Sequence, residues 1–417
     1  VNATLVVPLV VLGAVIALIA LRQVAGLRLR IWQIMVLGAA GMLLARSIDP
    51  DEAVRSLDVD VMLFLGGMFV LGRALEDSGV LAQLSHRLFA RARSESALTA
   101  LVVVGSGAAS AMLMNDTVAI VGVPVVVALG RAHHLDVRPL LLGLAFGVTA
   151  GSVVSPIGNP QNLLVALALE GNPFVTFAVW LAVPTAIALA LTYAAIRLTS
   201  RGDSKRPLAP LSPPATARGG LARVSRIAFV LLLGLVAARV LLVAVGSPIE
   251  VRLTAVALIP AALVLLLARE RLSVLRGVDW PTLAFFAALF VVVEAVDSAG
   301  VTGEVVKRLG SGVGETPLIL VVSAALSQIV SNVPLVALYL PALQEAGADT
   351  EAYMALAAGS TLAGNLTLIG AASNVIVVDV AERRFGVTLG FWEFTRIGAP
   401  LALAQLLATG GWLALVG

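Results

Sequence analysis

The chain contains no cysteine, and Lys, Arg, Asp and Glu together make up only 13% of its 417 residues. The first absence excludes disulfides, thiolate metal sites and thiol nucleophiles. The second excludes an ordinary soluble domain, which carries about 25% charged residues. Histidine occurs three times, as His86, His133 and His134, in or near basic loops and with no spacing that would gather metal ligands. No HExxH, no GxSG and no paired intramembrane Asp motif is present, so the chain does not read as an enzyme. The net charge of only +3 gives no footprint for nucleic acid. What is abundant is apolar: 59% of residues, with a mean hydropathy of +1.01. That composition belongs to an all-α polytopic membrane protein, whose bilayer-facing arginines meet lipid headgroups.

Apolar runs of spanning length occupy roughly 3–21, 31–45, 59–75, 138–169, 174–196, 226–245, 251–268, 280–296, 352–381 and 395–416. The first of these lacks a basic n-region and reads as a span, not a removable signal. Two further stretches, 97–130 and 316–344, each have an apolar arm, a polar turn and a second apolar arm of only about a dozen residues. Arms that short predict re-entrant hairpins. The positive-inside rule supports this. With both hairpins returning to their starting side, one side holds 22 of the 28 basic residues. These are Arg22, Arg28, Arg30, Arg73, Arg87, Arg91, Arg93, Arg131, Arg138, the seven of 197–226, Arg269, Arg271, Arg276, Arg383, Arg384 and Arg396. That side is the cytoplasm, which points to the cytoplasmic membrane as the location.

The Pro/Gly/Ser-rich segment 200–225 divides the chain near its middle, between an N-terminal half (1–199) and a C-terminal half (226–417). The halves align. FLGGMFVLGRALEDSGV (64–80) matches FFAALFVVVEAVDSAGV (285–301), and NDTVAIVGVP (115–124) matches NVPLVALYLP (332–341). TAGSVVSPIGNPQNLLV (149–165) matches TLAGNLTLIGAASNVIV (361–377), with Thr, Gly and Asn at the same three places. In the topology above the copies run in opposite directions, so the halves read as inverted repeats, with the substrate site at hairpin tips and broken helices near the midplane. Pro156, Gly158 and Pro160 predict a break in 138–169 near Ile157 to Pro160, and 364–374 is the counterpart.

These four segments resemble the ion transporter superfamily, which includes arsenite/antimonite permeases, sodium/proton antiporters and dicarboxylate/sodium symporters. The resemblance implies a homodimeric elevator: a scaffold (roughly 1–80 and 226–301) and a moving transport domain that carries the hairpins with 138–199 and 352–417. In the symporters both tips read Ser-Asn-Thr. Here they read Met114-Asn115-Asp116-Thr117 and Ser331-Asn332-Val333-Pro334, closer to arsenite-permease-like members.

The implied substrate ligands for a small anion are Asn115, Thr117, Asn162, Ser331, Asn332 and Asn374. Ion ligands are expected from Asp116, Ser152, Ser155, Gly158, Asn159, Asn365, Thr367, Gly370 and Ser373, which offer one carboxylate and several neutral oxygens suited to sodium. No cofactor is expected beyond sodium as a coupling ion. Asp116, an ionisable group at membrane depth, is the sharpest candidate; its plain alternative is a cap on backbone N–H groups. Arg239 and Glu294 are expected to pair within the scaffold. The function that follows is secondary active transport of an inorganic oxyanion or small carboxylate, coupled to sodium or protons, with a channel or a sodium/proton antiporter as the alternatives.

Overall fold

The computed structural model describes residues 3–24, 31–89, 92–200, 208, 219–245, 251–300, 310–330 and 332–417. Its regular elements are helices. The first half builds α1 (Ala3–Val24), α2 (Ile31–Leu44), α3 (Pro50–Arg55), α4 (Val59–Asp77), α5 (Val80–Phe89), α6 (Glu95–Met112), α7 (Asn115–Ala132), α8 (Val137–Ser152), α9 (Pro160–Ala168) and α10 (Pro173–Thr199). The second half builds α11 (Gly220–Ala244), α12 (Leu253–Leu267), α13 (Arg271–Arg276), α14 (Trp280–Ser298), α15 (Thr316–Val330), α16 (Asn332–Glu345), α17 (Thr350–Ala363), α18 (Ala372–Phe385) and α19 (Phe391–Val416). Six helices among the described residues are long and apolar enough to cross a bilayer: α6, α7, α10, α11, α14 and α19.

Local chemistry sets where these helices start. Asp58 accepts from the Val61 N–H at the head of α4, and Asp279 accepts from the Thr282 N–H at the head of α14. The two caps stand six residues before Phe64 and Phe285, which are matched in the aligned segments. Ser94, Asp136, Asn159, Asn172 and Asp349 cap α6, α8, α9, α10 and α17 in the same way. Each side-chain oxygen satisfies one of the four N–H groups that a helix start leaves open.

The packing comes in matching pairs. Helix α4 lies on α12 while α14 lies on α2, and α6 lies on α8 while α15 lies on α17. Of these, α4–α12 and α2–α14 join the two halves, as do α7 against α18 and α16 against α9. The last helices of the halves, α10 and α19, pack on each other. Helix α8 also meets α19, through the buried Phe146 and Phe394, whose ring centroids are 4.6 Å apart.

Both long spans expected to break do so. Residues 153–159 separate α8 from α9, and 364–371 separate α17 from α18. The hairpin arms differ from expectation. Helices α6 and α7 have 18 residues each, and α15 and α16 have 15 and 14. The apolar count stopped at the first charged residue, whereas the helices continue through Glu95 and Arg131, where an acidic first turn and a basic last turn favour extension. Helix α11 starts at Gly220, earlier than the apolar run at 226, and apart from Ser200, Leu208 and 219–225 the linker lies outside the described residues. Helices α3, α5 and α13 were not anticipated, because none is long enough to register as a span.

Candidate functional site

At the first break, the Asn162 amide does the holding. Its Nδ2 donates to the carbonyls of Ser152 (3.1 Å), Val153 (3.3 Å) and Ser155 (3.0 Å), groups freed where α8 ends. Its Oδ1 accepts from the Thr361 hydroxyl at 3.2 Å. Asn159 caps α9 through its Oδ1, while its Nδ2 donates to Ser152 Oγ at 2.9 Å and to Thr361 Oγ1 at 3.3 Å. Gly158 is required here, because a Cβ at this position would stand 2.4 Å from the Ser152 carbonyl oxygen. The first hairpin is pinned to the same loop, since the Asn115 N–H donates to the Gly158 carbonyl at 2.9 Å.

The second break repeats the device with partners exchanged. Asn374 Nδ2 donates to the Gly364 carbonyl at 2.9 Å, and its Oδ1 accepts from Thr149 of α8 at 3.4 Å. A Cβ on Gly370 would stand 2.7 Å from the Gly364 oxygen. Thus Thr361 serves the first break and Thr149 the second. Three of the five identities of the aligned segments, Thr149/Thr361, Gly158/Gly370 and Asn162/Asn374, build this exchange. Three glutamines complete the network, and sequence reasoning missed all of them. Gln161 donates to Thr361 Oγ1 at 3.3 Å, Gln328 accepts from Thr367 at 2.7 Å, and Gln405 accepts from Asn365 at 3.2 Å while donating to the Ala188 carbonyl of α10 at 3.0 Å. Their only sequence signal is an amide inside an apolar run.

A cavity of about 610 Å³ opens beside both breaks, of a size that small-molecule sites use. Four helix starts of the tips and breaks reach it, Asn115 and Asp116 of α7, Pro160 and Gln161 of α9, Asn332 and Val333 of α16, and Ala371 and Ala372 at the head of α18, beside the starts of α2 and α14. Each helix start carries roughly half a positive charge. The lining has no Lys or Arg, and its carboxylates are Asp116, Asp279 and Asp379. Asp279 is engaged with Thr282. Asp116 Oδ1 is buried with no hydrogen-bond partner, and α7 begins without a side-chain cap, so Asp116 does not act as the cap of its own helix. Asn332 Oδ1, Asn365 Oδ1 and Ser373 Oγ are likewise buried without partners, all of them on the second tip and second break.

The expected site residues therefore fall into groups. Asn115, Asp116 and Asn332 line the cavity. Asn159, Asn162, Ser152 and Asn374 are fully engaged inside the breaks, and Ser155 Oγ accepts from the Ile157 N–H. Thr367 is engaged with Gln328, and Gly158 and Gly370 make room for carbonyls. Thr117 turns from the cavity towards α4, where its Oγ1 would stand 2.9 Å from a Cβ at Gly72. Ser331 lies outside the described residues. The expected Arg239–Glu294 pair is not among the ion pairs of the described residues. Arg239 instead donates to the Val251 carbonyl, and Glu294 accepts from Ser298 one turn on. The two side chains sit on helices, α11 and α14, that pack against α4 and α12 on one hand and α2 on the other.

A cavity that gathers helix starts and tip residues at two broken helices is transporter geometry, and the family comparison agrees. The model of CitMHS, described as citrate transporter, matches residues 15–353. The chain belongs to this citrate transporter family. It is 30% identical over 371 residues to an uncharacterized transporter of Mycobacterium bovis, covering 84% of each chain. It is 27% identical to the silicon efflux transporter LSI3 of Oryza sativa subsp. japonica, covering 92% of this chain and 91% of that one. The crystal structure of the YdaH transporter of Alcanivorax borkumensis shares the fold, with a TM-score of 0.58 at 17% identity over 88% of this chain and 89% of that one. This member of the CitMHS family is a multi-pass membrane transporter and not an enzyme, within the ion transporter superfamily that its motifs resemble.

Proposed function

We propose that the chain is a secondary active transporter of the cytoplasmic membrane that carries a small oxygen-rich acid together with a coupling cation. One observation carries the reading: four helix starts, two tip asparagines and one unpartnered carboxylate meet at a single cavity. Helix starts attract oxyanions. A cavity with three carboxylates and no basic side chain disfavours an uncompensated multivalent anion, so solute and cation enter together or the solute enters un-ionised. Asp116 takes the cation, as a proton or a sodium ion. The unpartnered oxygens of Asn332, Asn365 and Ser373 favour sodium at the second break. Citrate, from the family description, and silicon, from the rice relative's name and tested in the form of silicic acid, are the first two solutes to test, with arsenite third.

The mechanism we propose is an elevator. The halves 1–199 and 226–417, joined by 200–225, form inverted repeats, and the exchanged Thr/Asn bonds and crossed helix pairs support that relation. The tips and broken helices travel as one body against a scaffold containing α2, α4, α12 and α14, which a second copy of the chain completes as a homodimer. The basic residues place the starts of α2 and α14 at the cytoplasmic face.

Transport by purified protein in proteoliposomes tests this. Wild-type protein accumulates labelled citrate or germanic acid (a silicic acid analogue) against its gradient under an imposed proton or sodium gradient. Preloaded unlabelled solute accelerates uptake. Asp116→Asn loses accumulation but keeps counterflow. Uptake without counterflow acceleration makes the protein a channel, and full accumulation by Asp116→Asn places the coupling site elsewhere.

A further inference from the structure

The cavity has two walls. Tips and breaks form one, and the starts of α2 and α14 form the other, with Trp32, Asp279, Pro281, Thr282, Phe285 and Phe286. On this second wall the polar groups of α14 are already spent, since Asp279 accepts from both the N–H and the hydroxyl of Thr282. Trp32 differs. The residue is half-buried against the core, and its Nε1–H is buried with no acceptor. A buried indole normally finds a partner for its N–H, because leaving the donor unmet costs free energy. Two other residues lining the same cavity also carry a buried acceptor that lacks a donor, Asp116 at Oδ1 and Asn332 at Oδ1. An oxygen-rich solute between the walls satisfies both sets.

We infer that Trp32 is a solute-binding residue of the scaffold, donating its indole N–H to a solute oxygen on the cytoplasmic side of the transport cycle only. This rests on the elevator reading proposed above. The ligand class is a solute with several oxygens, one accepting from Trp32 while others meet the tips. Because Trp32 belongs to the stationary body, the contact breaks when the tips move to the outer face. There the scaffold presents the starts of α4 and α12, where Arg252, Leu253 and Thr254 stand and no indole does. Solute is therefore bound by different scaffold chemistry at the two faces.

The test is Trp32→Phe, which keeps the ring and removes the donor, measured in inside-out and right-side-out vesicles with labelled citrate and labelled germanic acid. Half-saturation from the cytoplasmic face rises roughly threefold to tenfold, the loss of one hydrogen bond. Half-saturation from the outer face stays unchanged, and the maximal rate is not reduced. Trp32→His, which retains a ring N–H, restores part of the cytoplasmic affinity. An equal change at both faces, or none, overturns the inference while leaving the transport reading intact. Fluorine NMR of wild-type protein labelled with 5-fluorotryptophan needs no folded variant. Of the five tryptophans only Trp32 lines the cavity, so one resonance shifts on solute addition. If the vesicles move neither solute, the functional reading fails, and the absence of any fluorine shift with either solute then overturns the Trp32 contact as well.

Discussion

Asn162→Ala separates two roles that the same residue could play, substrate ligand or pin of the broken helix. Asn162 is fully buried and makes four side-chain hydrogen bonds, three to carbonyls of the break and one from Thr361. The two amide protons are shared among the three carbonyls, so at the average of about 0.6 kcal/mol measured inside membrane bundles three full bonds amount to ~1.8 kcal/mol. The carbonyls sit in an unwound segment enclosed by protein, where an unmet acceptor costs ~1–3 kcal/mol, so the value lies nearer ~3–4 kcal/mol. Asn374→Ala removes only two bonds, to Gly364 and from Thr149, and costs ~1–2 kcal/mol. The ordering is the prediction: Asn162→Ala unfolds at a distinctly lower temperature than Asn374→Ala, and both below wild type. Thermal unfolding in detergent, followed by size-exclusion chromatography after heating, reads it. An Asn162→Ala protein as stable as wild type but unable to bind solute would refute the pin and restore the ligand role.

Other perturbations test neighbouring parts of the same site. Gly158→Ala and Gly370→Ala force a Cβ to within 2.4 Å and 2.7 Å of backbone oxygens, so both lose folded protein on size-exclusion chromatography, Gly158→Ala the more severely. Normal yields of both would mean that the breaks are looser than described. Asn365→Ala and Ser373→Ala remove unpartnered oxygens at the second break, and each raises the sodium concentration needed for half-maximal transport by about threefold to tenfold. An unchanged sodium profile in both removes that site. Single cysteines at 116 and 333, in a background with no native cysteine, react with impermeant thiol reagents through the central cavity, and solute protects both. Labelling from one face that solute does not affect contradicts a shared site.

Much of this arrangement was legible before any coordinates. The hairpin turns at Asn115 and Asn332 and both breaks follow from polar and Pro/Gly residues interrupting apolar runs, because an apolar helix stops only where something stops it. The Thr, Gly and Asn identities flagged the segments that matter. Their jobs were not legible. An amide at position 162 reads as a free ligand until Thr361 is known to stand beside it, and nothing local specifies a partner 199 residues away. Gln161, Gln328, Gln405 and Trp32 escaped for the same reason. A lone amide or indole in an apolar run looks like any other until its surroundings show whether it is satisfied. The Arg239–Glu294 expectation failed because depth in the membrane was inferred from each span separately, while lateral position depends on which helices pack together.

The exchange of threonines between the two breaks has a consequence for how the protein is made. During synthesis the first half leaves the ribosome with Asn162 lacking the hydroxyl of Thr361, and Thr149 lacking the carbonyl of Asn374. Neither break is complete until the last third of the chain has inserted, so the N-terminal half waits in the bilayer as an unfinished module. If the halves are inverted repeats descended from one ancestral gene, as proposed above, that ancestor satisfied the same bonds by pairing two copies inserted in opposite orientations. Fusion then turned an encounter between molecules into one within a single chain.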